Sequence, residues 1–162
     1  MSSEKSLRTI ITFQSNAFNT SKVLPHFINP DCYGDDLCRY LAEKFGQAGW
    51  QCQAPGQEDF GWYLNFSCEA DHYCLVCVYR PDDEASVSNQ ENTADQGLWI
   101  IQVEHAVGFL ASIFGGRNRH ISRKVLERIQ EILAACPELT NLRWHLPADF
   151  NKGKEDLGSP GP

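Results

Sequence analysis

Apolar residues recur at every second position in several stretches of the chain, the pattern of strands that bury one face. Leu7 to Phe13 predicts the first strand, and Trp50 with Cys52 begins a short second one. Further strands are predicted at residues 57–66, 73–80, 98–104 and 142–146. The strand at 73–80 is apolar on both faces, which is typical of a strand that is central or covered on both sides.

Two segments show the three-to-four-residue spacing of an amphipathic helix. The first opens at Gly34-Asp35-Asp36, where carboxylates meet the positive end of the helix dipole, and it can end at Gly46 or Gly49. The second lies between Ser122, a suitable N-cap, and Pro137, which cannot continue a helix. Its buried stripe comprises Ile121, Val125, Ile129, Ile132, Leu133 and Cys136.

The predicted order is therefore strand, helix, four strands, helix, strand. Consecutive strands with short connections favour a mainly antiparallel sheet of five to six strands, and both helices must bury their apolar stripes on it. This predicts a two-layer α+β fold in a single domain over residues 1–150. Residues 81–96 are polar and acidic and are expected to form a mobile loop, and residues 151–162 are expected to be a flexible C-terminal tail.

Composition narrows the class of protein. The chain has 162 residues, 42% of them hydrophobic, which is enough for a packed core. Its formal net charge of −7 disfavours nucleic-acid binding, because phosphate backbones repel an acidic chain. We expect a cytoplasmic protein with reduced thiols, since the start of the chain is polar and no stretch approaches the roughly 20 apolar residues of a membrane span.

The stretch Gln57–Phe66 is the first candidate site. Its alternation predicts one core strand with Phe60, Trp62, Leu64 and Phe66 on the same face. Glu58 and Asp59 stand at the rim of that core, but adjacent strand residues point to opposite faces, so at most one would face a pocket beside Trp62 and Tyr63. The alternative is a solvated turn before the strand. Gly61 could mark a bulge or a close approach of another backbone.

A second candidate precedes the second helix. Glycines, arginines and a helix N-terminus can together hold an anion, and the loop supplies Arg117, Arg119 and His120. Its spacing matches no nucleotide-binding loop. The alternative is a solvated loop and helix face. Residues 107–114 are apolar and either close one end of the core, which we favour, or form an exposed patch.

Metal and redox chemistry have little support. Cys74 and Cys77 lie three residues apart on a strand, so their thiols should diverge, and no second pair completes four ligands. The five histidines show no metal-binding spacing. We therefore expect neither a metal nor a cofactor.

Four short motifs resemble a group of small uncharacterised bacterial proteins: Phe27-Ile-Asn-Pro, Gly34-Asp-Asp-Leu, Pro55-Gly-Gln-Glu-Asp-Phe-Gly-Trp-Tyr and Arg143-Trp-His. The resemblance covers most of the chain except the tail and the 81–96 loop. It implies a bacterial, cytoplasmic, single-domain protein and implies no activity.

Two functions remain open at this stage. The first is a non-enzymatic binding domain that contacts a protein or a small anionic ligand at Glu58–Tyr63, with the Arg117–His120 loop as a further anion contact. By analogy of shape and charge, it could mask a basic partner as immunity-type proteins do. The second is a small hydrolase or transferase that uses Glu58 or Asp59 with a histidine.

Overall fold

An antiparallel sheet of seven strands dominates the part of the chain that the computed structural model describes, residues 7–82, 97–105 and 121–162. The strands are β1 (Ile10–Gln14), β2 (Gln51–Cys52), β3 (Gly56–Glu58), β4 (Gly61–Cys68), β5 (Asp71–Arg80), β6 (Leu98–His105) and β7 (Thr140–His145). The sheet order is β2-β4-β5-β6-β1-β7, with β3 also paired to β4. The helices are α1 (Asp35–Gln47), α2 (Arg123–Ala134) and the single turn α3 (Pro147–Phe150), followed by a 3₁₀ turn at Glu155–Leu157. The α+β fold with an antiparallel sheet is confirmed.

The stretch 57–66 is not one strand, which corrects the sequence prediction. A two-residue turn at Asp59 and Phe60 separates β3 from β4, with Glu58 paired to Gly61 across it. Phe60 is consequently 57% exposed and does not lie on the core face. The burying alternation begins only after Gly61, where a Cβ would come within 2.6 Å of the Cys77 carbonyl oxygen. This close backbone approach is the one that the glycine suggested.

The core lies between one face of the sheet and the two long helices. The inward-facing residues of the central strands are almost fully buried, and Trp99 and Trp144 have no exposed surface. They pack with the apolar stripes of both helices, namely Leu37, Leu41 and Phe45 of α1 and Val125, Leu126, Ile129 and Leu133 of α2. Burial of these stripes supplies the main stabilisation of both helices.

Helix α1 ends in a Schellman motif. Gly49 has a φ of 88°, and its N–H bonds the carbonyl of Gly46 at 3.0 Å. The N–H of Trp50 bonds the carbonyl of Phe45 at 2.9 Å, and the two rings pack with centroids 4.9 Å apart. Of the two glycines considered, Gly49 therefore ends the helix, since a left-handed residue at this position closes it.

The C-terminal residues fold back on the sheet, which differs from the flexible tail that the sequence predicts. Ser159 forms a two-way backbone bridge with Trp144 at the open edge of β7, at 2.7 and 2.8 Å. Arg80 at the end of β5 holds Glu155 through two hydrogen bonds of 2.7 and 3.0 Å. These hydrogen bonds lower the pKa of Glu155. The outer edge of β7 offers unpaired backbone groups, and the polar C-terminal segment takes a fixed position because it hydrogen-bonds to them.

The same segment covers a buried histidine on the outer face of the sheet. His145 is 3% exposed, and its Nε2 is hydrogen-bonded to the Thr12 hydroxyl at 2.7 Å. The ring packs against Phe150, and a Cβ at Gly158 would lie 2.7 Å from its Cε1. Burial lowers the pKa of His145.

Candidate functional site

The buried side chain of Gln57 binds the backbone of the 15–33 loop, which connects β1 to α1. Its Oε1 accepts the N–H groups of Ile28 at 2.6 Å and Asn29 at 3.2 Å. Its Nε2 donates to the carbonyl oxygens of Asn29 at 2.8 Å and Cys32 at 3.3 Å. The amide thus directs its whole hydrogen-bonding capacity at one stretch of backbone. Backbone N–H and C=O groups of the loop have no hydrogen-bond partner in a strand or helix at these positions and bond to the Gln57 amide instead, which fixes the course of the loop.

Trp62 supports the same stretch from the core. Its indole N–H donates to the carbonyl of Cys32 at 3.0 Å, the oxygen that Gln57 also contacts. Its ring packs against Phe27 and His26 at centroid distances of 5.1 and 5.9 Å. The first and last residues of the Gln-Glu-Asp-Phe-Gly-Trp element, Gln57 and Trp62, therefore have a structural role, because both hold the 15–33 loop.

The first turn of α1 fastens the loop a second time. Asp35 is 5% exposed and accepts hydrogen bonds from His26 Nε2 at 2.9 Å and from Arg39 Nε at 3.0 Å. Asp36 accepts the N–H of Asn19 at 2.7 Å. Burial raises the pKa of Asp36, and hydrogen bonds from backbone N–H groups act in the opposite direction. Both carboxylates stand where the helix dipole favours negative charge.

The anchored loop nevertheless exposes apolar side chains. In the described residues, five large apolar side chains are exposed, and four of them lie on this loop or on the β3–β4 turn: Val23, Leu24, Ile28 and Phe60. We call these four residues the Ile28–Phe60 surface. Ile28 is 80% exposed. Asn29 joins the loop to the turn through Nδ2, which lies 3.5 Å from the Asp59 carbonyl oxygen. Leu24 and Ile28 therefore lack cover, whereas Phe18 and Phe27 of the same loop pack on the core.

Three exposed carboxylates accompany this surface. Glu58 and Asp59 directly precede Phe60, and Asp31 lies on the loop, where its N–H bonds Asn29 Oδ1 at 3.1 Å. Asp31 and Asp59 both lie near the Cys32 thiol: burial raises the pKa of Cys32 first, and the charges of these two carboxylates raise it further. Within residues 7–82, 97–105 and 121–162, none of the three carboxylates forms an ion pair. The surface therefore combines apolar groups with unneutralised negative charge.

A groove of about 430 Å³ opens beside Leu24. Phe18 and Leu24 contribute apolar wall, Lys22 contributes a cation, and Asp35 and Asp36 lie among the lining residues. The protein surface is therefore concave next to the exposed side chains.

The structure places the predicted site residues in different environments. Glu58 and Asp59 are both exposed, whereas Trp62 is buried. Tyr63 is half-buried and lies across Gly56, where a Cβ would come within 2.4 Å of its ring. The three residues of the predicted anion loop, Arg117, Arg119 and His120, lie outside the described residues, as does the apolar segment 107–114.

Two histidine–carboxylate pairs occur in the described chain, and neither uses Glu58 or Asp59. His26 lies 2.9 Å from Asp35, and His105 lies 3.6 Å from Asp71. The first pair was missed because its members lie nine positions apart on either side of an irregular segment, and no periodicity predicts their approach. The proximity of His26 to a helix-opening aspartate in sequence was the one signal available.

In the part of the chain that the structure describes, no three His, Cys, Asp or Glu side chains are placed to hold a metal ion. Cys77 is buried and Cys74 is half-buried, on opposite faces of β5. Cys38 of α1 hydrogen-bonds the Cys77 thiol, and this contact, followed by burial, raises the pKa of Cys77. A thiol held protonated is a weak nucleophile and a weak metal ligand, so Cys38 and Cys77 serve as core residues.

Comparison with known proteins gives no assignment: no protein-family model, curated protein or solved structure matches the chain. Among the described helices, none has the length and apolar character needed to cross a membrane.

Proposed function

We propose that this chain is a non-enzymatic interaction domain that binds a protein partner through the Ile28–Phe60 surface. The observation that carries the proposal is the contrast between a rigidly anchored loop and the apolar side chains that it exposes. The backbone N–H of Ile28 donates a hydrogen bond to the side-chain oxygen of the buried Gln57, while 80% of the Ile28 surface stays in solvent. Exposed apolar groups held in a fixed arrangement are typical of interaction surfaces, because little conformational entropy is lost on binding.

The anchors make this surface preorganised. The 15–33 loop is held by Gln57 and Trp62 on one side and by Asp35 and Asp36 on the other. Each anchor is a side chain of a strand or of α1. A protein that covers this surface would bury Ile28 and Phe60 without first having to order the loop. Such a domain acts by occupying and masking part of its partner.

The test is capture of partner proteins from a cell extract by the immobilised chain, quantified for matched variants. Ile28→Ser and Phe60→Ser should each remove the partner. Leu157→Ser is the control, because Leu157 is 51% exposed but lies in the C-terminal 3₁₀ turn. All three variants should unfold at nearly the wild-type temperature, since none of the three side chains is in the core. A protein retained equally by Ile28→Ser and wild type would not be bound through this surface, and the proposal would be wrong.

The second candidate, a hydrolase or transferase, has one observation in its favour. A buried carboxylate that orients a half-exposed histidine is an arrangement found in acid–base catalysis, and Asp35 holds His26 in this way. Arg39 occupies the other oxygen of Asp35, so the same contacts also serve as a loop anchor. Chromogenic carboxylic and phosphate esters test the enzyme directly. Turnover that disappears in His26→Gln and persists in His72→Gln, which alters an exposed histidine, would favour catalysis over binding.

A further inference from the structure

The charges around the Ile28–Phe60 surface bear on the kind of partner that can cover it. Asp31, Glu58 and Asp59 are exposed, and none of them has a cationic partner in the described chain. By contrast, the exposed Glu131 is paired with Arg128 at 2.7 Å. Glu58 and Asp59 immediately precede Phe60, and Asp31 acts on the same Cys32 thiol as Asp59, so a partner that buries the apolar surface also approaches these carboxylates.

From this we infer that the partner is a basic protein, whose contacting element presents an apolar side chain flanked by lysine or arginine. The inference rests on the proposed function and adds the chemistry of the partner. Cations opposite Asp31, Glu58 and Asp59 would neutralise charge that has no partner within the described residues. The apolar side chain would cover Ile28 and Phe60. Complementary charge of this kind accelerates encounter and excludes wrong partners.

Two other occupants are disfavoured by the same charges. A second copy of the chain in a symmetric dimer would place the same patch against itself, so carboxylates would approach carboxylates. A small anion would meet three like charges at this surface. Lys22 is the cation on the same loop, and Arg39 is already paired with Asp35.

The experiment selects binders from a displayed library of random peptides, with wild type and Ile28→Ser as parallel baits. We expect wild type to enrich peptides that combine aliphatic or aromatic anchors with an excess of Lys and Arg, and Ile28→Ser to enrich none of them. One selected peptide is then synthesised for affinity measurements. Neutralising the three carboxylates in D31N/E58Q/D59N should weaken its binding about tenfold at low salt and should flatten the dependence of affinity on salt.

A matched control removes the same charge elsewhere. The variant E127Q/E138Q/D156N alters three exposed carboxylates on or after α2 and in the C-terminal segment. It should bind the peptide with near wild-type affinity, which excludes an effect of net charge alone.

The outcomes distinguish the basic character of the partner from the existence of the interaction surface. Peptides that depend on Ile28 but show no excess of basic residues, or that bind D31N/E58Q/D59N as well as wild type, would overturn the basic partner and leave the interaction surface in place. Failure to enrich any Ile28-dependent peptide would overturn both. Self-association in sedimentation that Ile28→Ser abolishes would make a second copy the occupant, and the basic partner would again be wrong.

Discussion

Replacement of Gln57 by alanine should loosen the 15–33 loop and destabilise the domain. The amide makes four hydrogen bonds to loop backbone, at 2.6, 3.2, 2.8 and 3.3 Å. A hydrogen bond of this kind contributes about 0.5–1.5 kcal/mol net, so the four together have a ceiling of about 6 kcal/mol. The loop lies at the surface and water can replace some of these contacts, so we expect a loss of about 2–4 kcal/mol in the free energy of unfolding.

The measurement is urea unfolding of Gln57→Ala beside Gln51→Ala, in which an exposed glutamine of β2 is truncated. The control should change the free energy by less than about 0.5 kcal/mol. Hydrogen exchange adds the location of the effect, because the amides of Ile28 and Asn29 should lose protection in Gln57→Ala. If both variants behave alike and these two amides remain protected, Gln57 does not anchor the loop and the preorganised surface loses its main support.

Three further predictions concern single positions. Gly61→Ala should unfold the domain or lower its free energy of unfolding by more than about 3 kcal/mol, because its Cβ would lie 2.6 Å from the backbone oxygen of Cys77. Thermal unfolding measures this loss. Glu58→Ala should change the melting temperature by no more than a degree or two, since the residue is exposed; a large loss would make it a structural acceptor. Burial lowers the pKa of His145 below that of the unfolded chain, so stability should be complete above about pH 6.5 and should fall as the pH drops below it. That slope should persist in His72→Gln and shrink in His145→Gln when unfolding is followed between pH 5 and 7.

The sequence predicts those features of the fold that depend on local periodicity. The predicted stripe of α2 includes Val125, Ile129 and Leu133, three of the four residues that the helix buries, but it misses Leu126. The alternation over residues 98–104 puts Trp99, Ile101 and Val103 on one face, and these are the buried residues of β6. The predicted sheet has one strand fewer than the structure because a turn interrupts residues 57–66. Gly61 was the only mark of that turn, and a glycine there also fits a bulge. Periodicity reports which side of an element is buried, but it is silent about a two-residue reversal within an apolar run.

The candidate site depends on contacts that no local pattern encodes. Gln57 reads as a polar residue in a turn, yet its amide is buried because the 15–33 loop passes over it. Ile28 reads as a residue that needs cover, yet it is exposed because its neighbours, and not its own side chain, fix the loop. Ser159 belongs to a polar tail, and only the free edge of β7 gives it a partner. In each case the partner is distant in sequence, and its position follows from the assembled sheet.

The 15–33 loop is longer than a connection between β1 and α1 requires, since loops beyond about 12–15 residues without secondary structure are uncommon in compact domains. A loop retained only as a connection would need few anchors and would gain by turning Ile28 inward. The structure shows the opposite: Gln57 and Asp36 hydrogen-bond the loop backbone and Asp35 hydrogen-bonds the side chain of His26, while Ile28 remains 80% exposed. Folding gains nothing from that exposure, because burial of an isoleucine is worth about 1.5–3 kcal/mol. On the proposed function, a partner that covers the Ile28–Phe60 surface would recover that free energy without a further cost for ordering the loop.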